Sequence, residues 1–417
     1  MIRHILKIIW NERKSNILVV LEFIIVFCIL WFCCDYLYYI ASRYFEPHGY
    51  DIEHTYLIRV DQKEEIEMTG EDKYNYAMTF IERVKNYPEI ENVSFSDASI
   101  PYGWNSRMQG LVINSDSNYV NAHIFRVVPE FFDVFKMKII KGQIFDESDM
   151  NAGNRIIITA NRKDLFGDYG EPVPVNEVRE LRNNLNDENP RIVIGIAEKQ
   201  KRQYFDPYTS AVFHPFKKGD YNLNRNEIVV RVNPAADNDF AGRFKEEMKE
   251  QLSLGPYFLS SVMSMVDRRD MLTKRSVGDN IKSVLAITAF LVINIFLVII
   301  GTFWSRTETR RSEVGLRIAL GSSKQKVRWQ MFLETFIMLF ISSIVGLYIC
   351  INLGQSEILQ SLGIPLADYE QAGFGSEQDI INYFITFIFL TIVSGLAVWY
   401  PAKLASDIYP AEALRAE

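Results

Sequence analysis

Residues 283–304 read SVLAITAFLVINIFLVIIGTFW. The stretch carries no charge, and Asn294 is its only amide side chain. A helix needs about 20 mostly apolar residues to cross a ~30 Å hydrocarbon core. Core helices of soluble domains are rarely apolar all round over that length, so this stretch reads as a membrane span. Three more follow from the same criterion. Residues 16–41, NILVVLEFIIVFCILWFCCDYLYYIA, hold one charge between Ile17 and Cys34, namely Glu22. Residues 329–354, WQMFLETFIMLFISSIVGLYICINLG, hold one charge, Glu334, and residues 381–400, INYFITFIFLTIVSGLAVWY, hold none. The chain of 417 residues is therefore expected to be a bundle of four transmembrane helices carrying one large domain.

Loop charges orient the spans. The N-terminal segment carries Arg3, Lys7, Arg13 and Lys14. The 305–328 connection carries Arg306, Arg310, Arg311, Arg317, Lys324, Lys326 and Arg328. The 355–380 loop has no Lys or Arg, but has Glu357, Asp368, Glu370, Glu377 and Asp379. The basic segments belong in the cytoplasm, which places both termini inside and residues 42–282 outside. The length of span 16–41 and the lack of a small-x-small site before Asp35 favour an uncleaved anchor over a signal peptide. Ile2, Ile5, Leu6 and Ile9 share one face of 1–15, which reads as a short helix in the inner interface or as an extension of the first span.

The averages alone would misclassify the chain. A hydrophobic fraction of 48% and a charged fraction of 23% are those of a soluble globular protein. By position, most of the charge lies in 42–282, while Cys28, Cys33, Cys34 and Cys350 all lie in the spans. The outer block must therefore fold without disulfides, and its size suffices for that. Its pattern is mixed. Strands are expected at 54–60, 119–127, 155–160, 191–198 and 227–232, from their alternation and β-branched content. Helices are expected at 72–90, where Pro88 stops the run, at 129–135 behind a Pro, and at 236–252. Residues 168–190 read as a long loop and 263–282 as a helical stalk. The fold class is a four-helix membrane bundle with a large, two-lobed mixed α/β domain.

Several chemistries are missing from the sequence. There is no G-x-x-x-x-G-K-[ST] phosphate loop and no G-x-S-x-G elbow, and His48 and His54 are the only close histidine pair. Neither a catalytic nor a metal site is expected in this chain. A pI near 5.5 argues against nucleic acid as a partner.

The most informative stretch is the connection SRTETRRSEVGLRIALGSSKQKVRWQMFLE, 305–334. Arg310, Glu313, Val314 and Arg317 recur at helical spacing, Gly321-Ser322-Ser323 breaks the helix, and Lys324 starts the next. Glu22 and Glu334 lie five or six residues inside a cytoplasmic boundary, roughly 8–9 Å deep at about 1.5 Å per residue. A carboxylate there is costly unless paired or wetted. The two are expected to face the bundle interior near Arg13, Lys14 or Arg328 and to hold the connecting helix against the first span. Protonation or snorkelling to the interface is the alternative. Ser342, Gly346, Ser394 and Gly395 would allow close helix packing.

The block R-R-S-E-V-G-L-R-I-A-L-G-S-S, with Gln330 and Glu334 opening the next span, resembles the signature of FtsX-like permeases, the membrane subunits of MacB-type ABC transporters. The tail YPAKLASDIYPAEALRAE resembles the family's ending through Pro401, Ala402, Pro410, Glu412, Ala413, Leu414 and Arg415. Lys403 and Leu404 depart from a commonly more basic pair. VPEFFDVFKMKIIKGQIFDESD, 128–149, resembles the family's outer-domain stretch, and the order of one span, a large domain and three spans also fits.

The resemblance implies a MacB-like periplasmic core domain at 42–282 and a coupling helix within 305–328 that docks on a separate cytoplasmic ATPase. Arg306, Arg310, Arg311, Glu313, Gly315, Arg317, Ala319 and Gly321 would form that coupling segment. It further implies an inner-membrane location, a homo- or heterodimer with a second permease chain, and ATP and Mg²⁺ bound by the partner ATPase, not by this chain. A periplasmic adaptor and an outer-membrane channel are further partners of such systems. The implied role is export or extraction of a lipoprotein, peptide, antibiotic or other amphipath. The alternative is a signalling subunit that activates a periplasmic partner such as a cell-wall hydrolase.

Overall fold

The structure, a computed structural model, describes residues 7, 9–11, 13–63, 66–103, 105, 107–113, 119–160, 181–182, 191–208, 210–309, 311–354 and 377–407. In chain order the main elements are α1 (Arg13–Phe45), β1 (Thr55–Gln62), α2 (Gly70–Lys85), β2 (Ile90–Asp97), β3 (Met108–Ile113), β4 (Tyr119–Val127), α3 (Glu130–Val134), β5 (Ile139–Gly142), α4 (Glu147–Ala152), β6 (Arg155–Thr159), β7 (Leu181–Arg182), β8 (Ile192–Ala197), β9 (Ala211–Pro215), β10 (Glu227–Val232), α5 (Phe240–Met248), β11 (Tyr257–Ser264), α6 (Met265–Thr273), α7 (Asp279–Thr309), α8 (Arg311–Ala319), α9 (Lys324–Gly354) and α10 (Glu377–Ser406). They form two units: residues 43–277, built on a sheet, and residues 1–42 with 278–417, built of helices.

In the sheet unit the strand order is β11-β1-β10-β2-β4-β9-β6-β8-β5, with β3 added to β4 and β7 to β3. The β4–β9 and β6–β8 pairs are parallel and the others antiparallel. Two residue pairs, Ser96↔Val127 and Asp97↔Arg126, join β2 to β4. Alternation along each strand decides which face is buried. Tyr56, Ile58 and Val60 of β1 pack with Phe80 and Val84 of α2 and with Phe240 and Phe244 of α5. Leu57 and Val229 point the other way, into a second core with Phe125, Phe213 and the α3 residues Phe131 and Phe132. Burying one such aromatic side chain stabilises by roughly 1.5–3 kcal/mol.

Local signals explain the element ends. Thr69 accepts from the Asp72 amide and Asp72 bonds back to the Thr69 N–H, a capping box that opens α2. The helix closes at Asn86, before Pro88. The expected strands at 54–60, 119–127, 155–160, 191–198 and 227–232 correspond to β1, β4, β6, β8 and β10, while β2, β3, β5, β9 and β11 were not anticipated. The segment expected as a helical stalk is helical from Met265 onward, and only its first two residues differ. Met263 and Ser264 finish β11, Ser264 caps α6 by accepting from the Val266 N–H, and Lys274–Gly278 is a π-helical turn. Of the expected 168–190 loop, residues 168–180 and 183–190 lie outside the described residues, and Leu181–Arg182 pair with β3 as β7.

The helical unit holds four helices long and apolar enough to span a membrane: Asn16–Phe45, Asp279–Thr302, Lys324–Leu353 and Ile380–Leu404. Their shared core includes Phe23, Phe27 and Leu30 of α1, Ile295 and Ile299 of α7, Met338 and Leu339 of α9, and Leu390 and Ala397 of α10. A Cβ at Gly346 would lie 2.6 Å from Phe27 Cδ1, so the absent side chain lets α9 approach α1. Ser342 Oγ bonds to the Val20 carbonyl at 3.2 Å across the same contact. Helix α10 runs through Pro401 to Ser406 instead of ending at the proline. Residues 1–6 and most of the 355–380 loop lie outside the described residues, while Lys7 and 9–11 are helical.

Candidate functional site

The segment between α7 and α9 is held by two capping devices. At the end of α8, the Ser322 N–H bonds to the Arg317 carbonyl at 3.0 Å and the Gly321 N–H to Ile318 O at 3.0 Å. This is the 6→1 and 5→2 pattern of a Schellman motif, and Gly321 fills its left-handed position at φ +93°. Ser323 then caps α9, with its Oγ accepting from the Lys326 N–H at 3.3 Å. A cap of this kind contributes about 1 kcal/mol. The G-S-S triplet thus fixes where one helix stops and the next starts.

Side chains brace the same corner. Arg317 Nη1 of α8 donates to Gln330 Oε1 of α9 at 3.0 Å. Gln330 Nε2 donates to Glu334 Oε1 at 3.2 Å, and Glu334 is 3% exposed. Glu334 is thus enclosed, and a described link runs through Gln330 to the connecting helix. Glu22 is half-buried and has no hydrogen-bond partner among the described residues. Asn294 donates to the Phe290 carbonyl of its own helix at 2.8 Å.

A second fastening was not anticipated. Lys324 Nζ lies 3.1 Å from Asp407 Oδ1, Arg328 Nη2 lies 3.5 Å from the same oxygen, and Arg328 Nε donates to Ser406 Oγ at 2.7 Å. The hydrogen-bonded Lys324 ammonium holds the Asp407 carboxyl below its usual range. The sequence signal was an i,i+4 basic pair opposite the only acid between 380 and 411. Asp35 and Asn382, both buried, form another unread pair by hydrogen bonding between α1 and α10.

The remaining expected residues fall as follows. Arg306 lies in the last turn of α7, and Arg311, Glu313, Gly315 and Ala319 lie in α8. The side chains of Arg306, Arg311 and Glu313 are outside the described residues, as are Arg310 and the tail residues Pro410, Glu412, Ala413, Leu414 and Arg415. Pro401 and Ala402 are buried in α10.

Within the sheet unit, the last turn of α1 is clamped by a fully enclosed lysine. Lys201 Nζ donates to the Arg43 carbonyl at 2.7 Å and lies 2.8 Å from Glu46 Oε2. Burial pushes the Lys201 pKa down despite the partner. Burial alone would raise the Glu46 carboxyl, but the Lys201 hydrogen bond and the charges of Arg43 and Lys201 outweigh it and hold it low. The two directions are compatible because Lys201 is fully enclosed while Glu46 keeps a third of its side chain in water.

Known proteins match along most of the chain. The FtsX-like permease C-terminal model matches residues 284–410, and the MacB-like periplasmic core domain model matches 42–246. The macrolide export ATP-binding/permease protein MacB of Burkholderia pseudomallei is 27% identical over 309 residues, covering 71% of this chain and 43% of the relative. That of Neisseria gonorrhoeae is 26% identical over 241 residues, covering 54% and 34%. The chain thus spans less than half the length of these relatives. The solved periplasmic region of MacB from Actinobacillus actinomycetemcomitans aligns at 15% identity and TM-score 0.33, over 54% of this chain and 94% of that one. The extracellular domain of the ABC-type transporter YknZ from Gram-positive bacteria aligns at 14% and 0.32, over 50% and 100%.

Proposed function

The chain belongs to the FtsX-like, MacB-type family of ABC transporter permeases, and on that premise we propose that it couples ATP hydrolysis by a separate ATPase to movement of its sheet domain. The observation that carries this reading is the braced corner of α8 and α9. A helix that is capped at its end and tied by Arg317 to a residue within a span can pass a push to that span without bending away. Unbraced, it would absorb the same push as local rotation.

The basic residues flanking α8 support a cytoplasmic position for it, with both termini inside and 42–282 in the periplasm of an inner-membrane protein. Arg306, Arg310, Arg311 and Glu313 supply charges of both signs for an ATPase groove, and Gly315 allows close backbone approach. ATP and Mg²⁺ belong to the ATPase. Four spans are too few to enclose a path, so a second permease chain, like or unlike, completes the assembly. The substrate is an amphipath taken up on the outer side, with an adaptor and an outer-membrane channel as downstream partners. Co-purification with the ATPase tests this. Reversing Arg311 and Glu313 together is expected to abolish the complex while the chain still inserts. Retention of the complex would refute the docking assignment.

A further inference from the structure

On the sheet face opposite α2 and α5, a polar cavity of about 120 Å³ opens between β1, β10 and α6. Its chemistry-bearing walls are Arg59, Asp61, Asn105, Arg225, Glu227 and Arg268. Arg268 is 3% exposed. It shares the inner side of α6 with the core residues Met265 and Leu272, three residues after one and four before the other, where an apolar side chain would be the ordinary choice. Its Nε donates to the Tyr102 carbonyl at 2.8 Å, and among the described residues its two Nη groups have no partner. Arg59 and Arg225 are exposed at the rim.

No carboxylate of a described residue lies within 4.0 Å of any of these three guanidiniums. Glu227 is close enough to be felt but is committed elsewhere. Its Oε2 accepts from Ser99 N at 2.8 Å, Ile100 N at 3.1 Å and Ser96 Oγ at 3.2 Å. The nearby Asp97 is taken by Arg107 at 2.9 Å and Arg126 at 3.7 Å. Asp61 is exposed at the mouth. Burial, then the Arg59 charge, lowers the Arg268 pKa, against the opposing charge of Glu227. A buried guanidinium is strongly unfavourable unless its charge and its N–H groups are met.

We propose that this cavity binds the oxyanion head of a small ligand, a carboxylate or a phosphate, with Arg268 at its floor and Arg59 and Arg225 at its rim. Guanidinium forks suit both groups, because each presents paired oxygens. The volume sets the scale. Drug-sized ligands need about 300–1,000 Å³, so only the charged head enters and the rest of the ligand stays outside. The site is independent of the transport reading, since it needs only the sheet unit's geometry.

Two probes at constant ionic strength test the site by calorimetry on the full chain in nanodiscs: inorganic phosphate and N-acetylglycine, with chloride as reference. Saturable binding of at least one is expected. Phosphate alone would assign a phosphoryl ligand, N-acetylglycine alone a peptide-type carboxylate, and both a general oxyanion site. Arg268→Met is expected to weaken binding by about tenfold or more, the loss of a charge-assisted contact. Because Arg268 is buried and its loss disturbs the fold, the exposed pair Arg59→Gln and Arg225→Gln provides the second arm, with about a tenfold combined loss. Absence of saturable binding by either probe, or binding unchanged in the rim double variant, would overturn the proposal and leave the ATPase-coupling reading untouched.

Discussion

In the sheet unit Arg231 is 3% exposed and sends its Nε to Val134 O at 2.6 Å, its Nη1 to Glu53 O at 2.9 Å and its Nη2 to Asp51 O at 2.8 Å. In the helical unit the buried hydroxyls of Thr386 and Ser342 return to carbonyls one turn back on their own helices, at 2.9 and 2.8 Å. Both regions bury polar groups, but with opposite tolerances. The sheet unit encloses full charges and surrounds them with backbone acceptors that its loops leave open. The helical unit has spent its carbonyls on helix bonds, so a short hydroxyl can share one, but a charge finds few partners. Its described ion pairs include the Lys324, Arg328 and Asp407 cluster at helix ends, while the enclosed Asp35 and Glu334 are each bonded to an amide side chain. The difference teaches where signals can be carried: by polar braces at helix ends and by packing in between.

The sharpest way to break this comparison is Arg231→Met. It strands three carbonyls, and we expect about 3–5 kcal/mol lost from the sheet unit. Denaturant unfolding followed by sheet-unit fluorescence would measure it. A loss below about 1 kcal/mol would show that the enclosed charge is not what holds those loops.

Acidification separates the units next. His123 and His214 are held neutral, at pKa values of about 4 and about 3. Burial is the main cause in both, followed by Arg202 for His123 and Arg191 for His214. Unfolded histidine titrates near 6.5. Between those values the unfolded chain binds more protons, so stability is full above about pH 6.5 and falls as pH drops towards the folded values. By linkage the two histidines together cost the sheet unit up to about 6 kcal/mol from pH 7 to 4, and His123→Gln should flatten about half of that slope. His4, the remaining candidate in the helical unit, lies outside the described residues.

Gly346→Val probes the packing side of the comparison. The new side chain meets Phe27, and overpacking of this kind costs roughly 1–3 kcal/mol. Helical-unit unfolding in detergent should register it, and pairing it with Phe27→Ala should recover part of the loss. The smallest effect is expected for Ser342→Ala. Its one hydroxyl hydrogen is shared between Met338 O and Val20 O, and an interhelical bond of this kind averages about 0.6 kcal/mol in membranes. A loss of several kcal/mol there would mean that hydrogen bonds, not fit, hold α9 to α1.

The two units were unequally legible in the sequence. The spans could be read because a bilayer makes nearly every side chain report the same fact, and only their ends moved, as where α10 passes through Pro401. The corner after α8 could be read because Gly321 and Ser323 have few other uses in that order. Strands such as β2, IENVSFSD, were hidden, because Ser94 and Ser96 are buried beside Phe95 and blur the alternation. Arg231 and Arg268 look like surface residues until the fold encloses them. The link from Glu334 through Gln330 to Arg317 depends on how two helices meet, which spacing alone does not encode.

The proposed coupling requires that Arg317, Gln330 and Glu334 make α8 a stiff lever and not merely a docking surface. Gln330→Leu removes both Gln330 hydrogen bonds, the one from Arg317 and the one to Glu334, while leaving the proposed docking charges in place. With the full chain and the proposed partner ATPase reconstituted in nanodiscs, ATP turnover of the complex is the direct readout. We predict that the variant still co-purifies with the ATPase but turns over about tenfold more slowly than the unaltered complex, the equivalent of ~1.4 kcal/mol. Turnover equal to that of the unaltered complex, with the ATPase bound, would contradict the account.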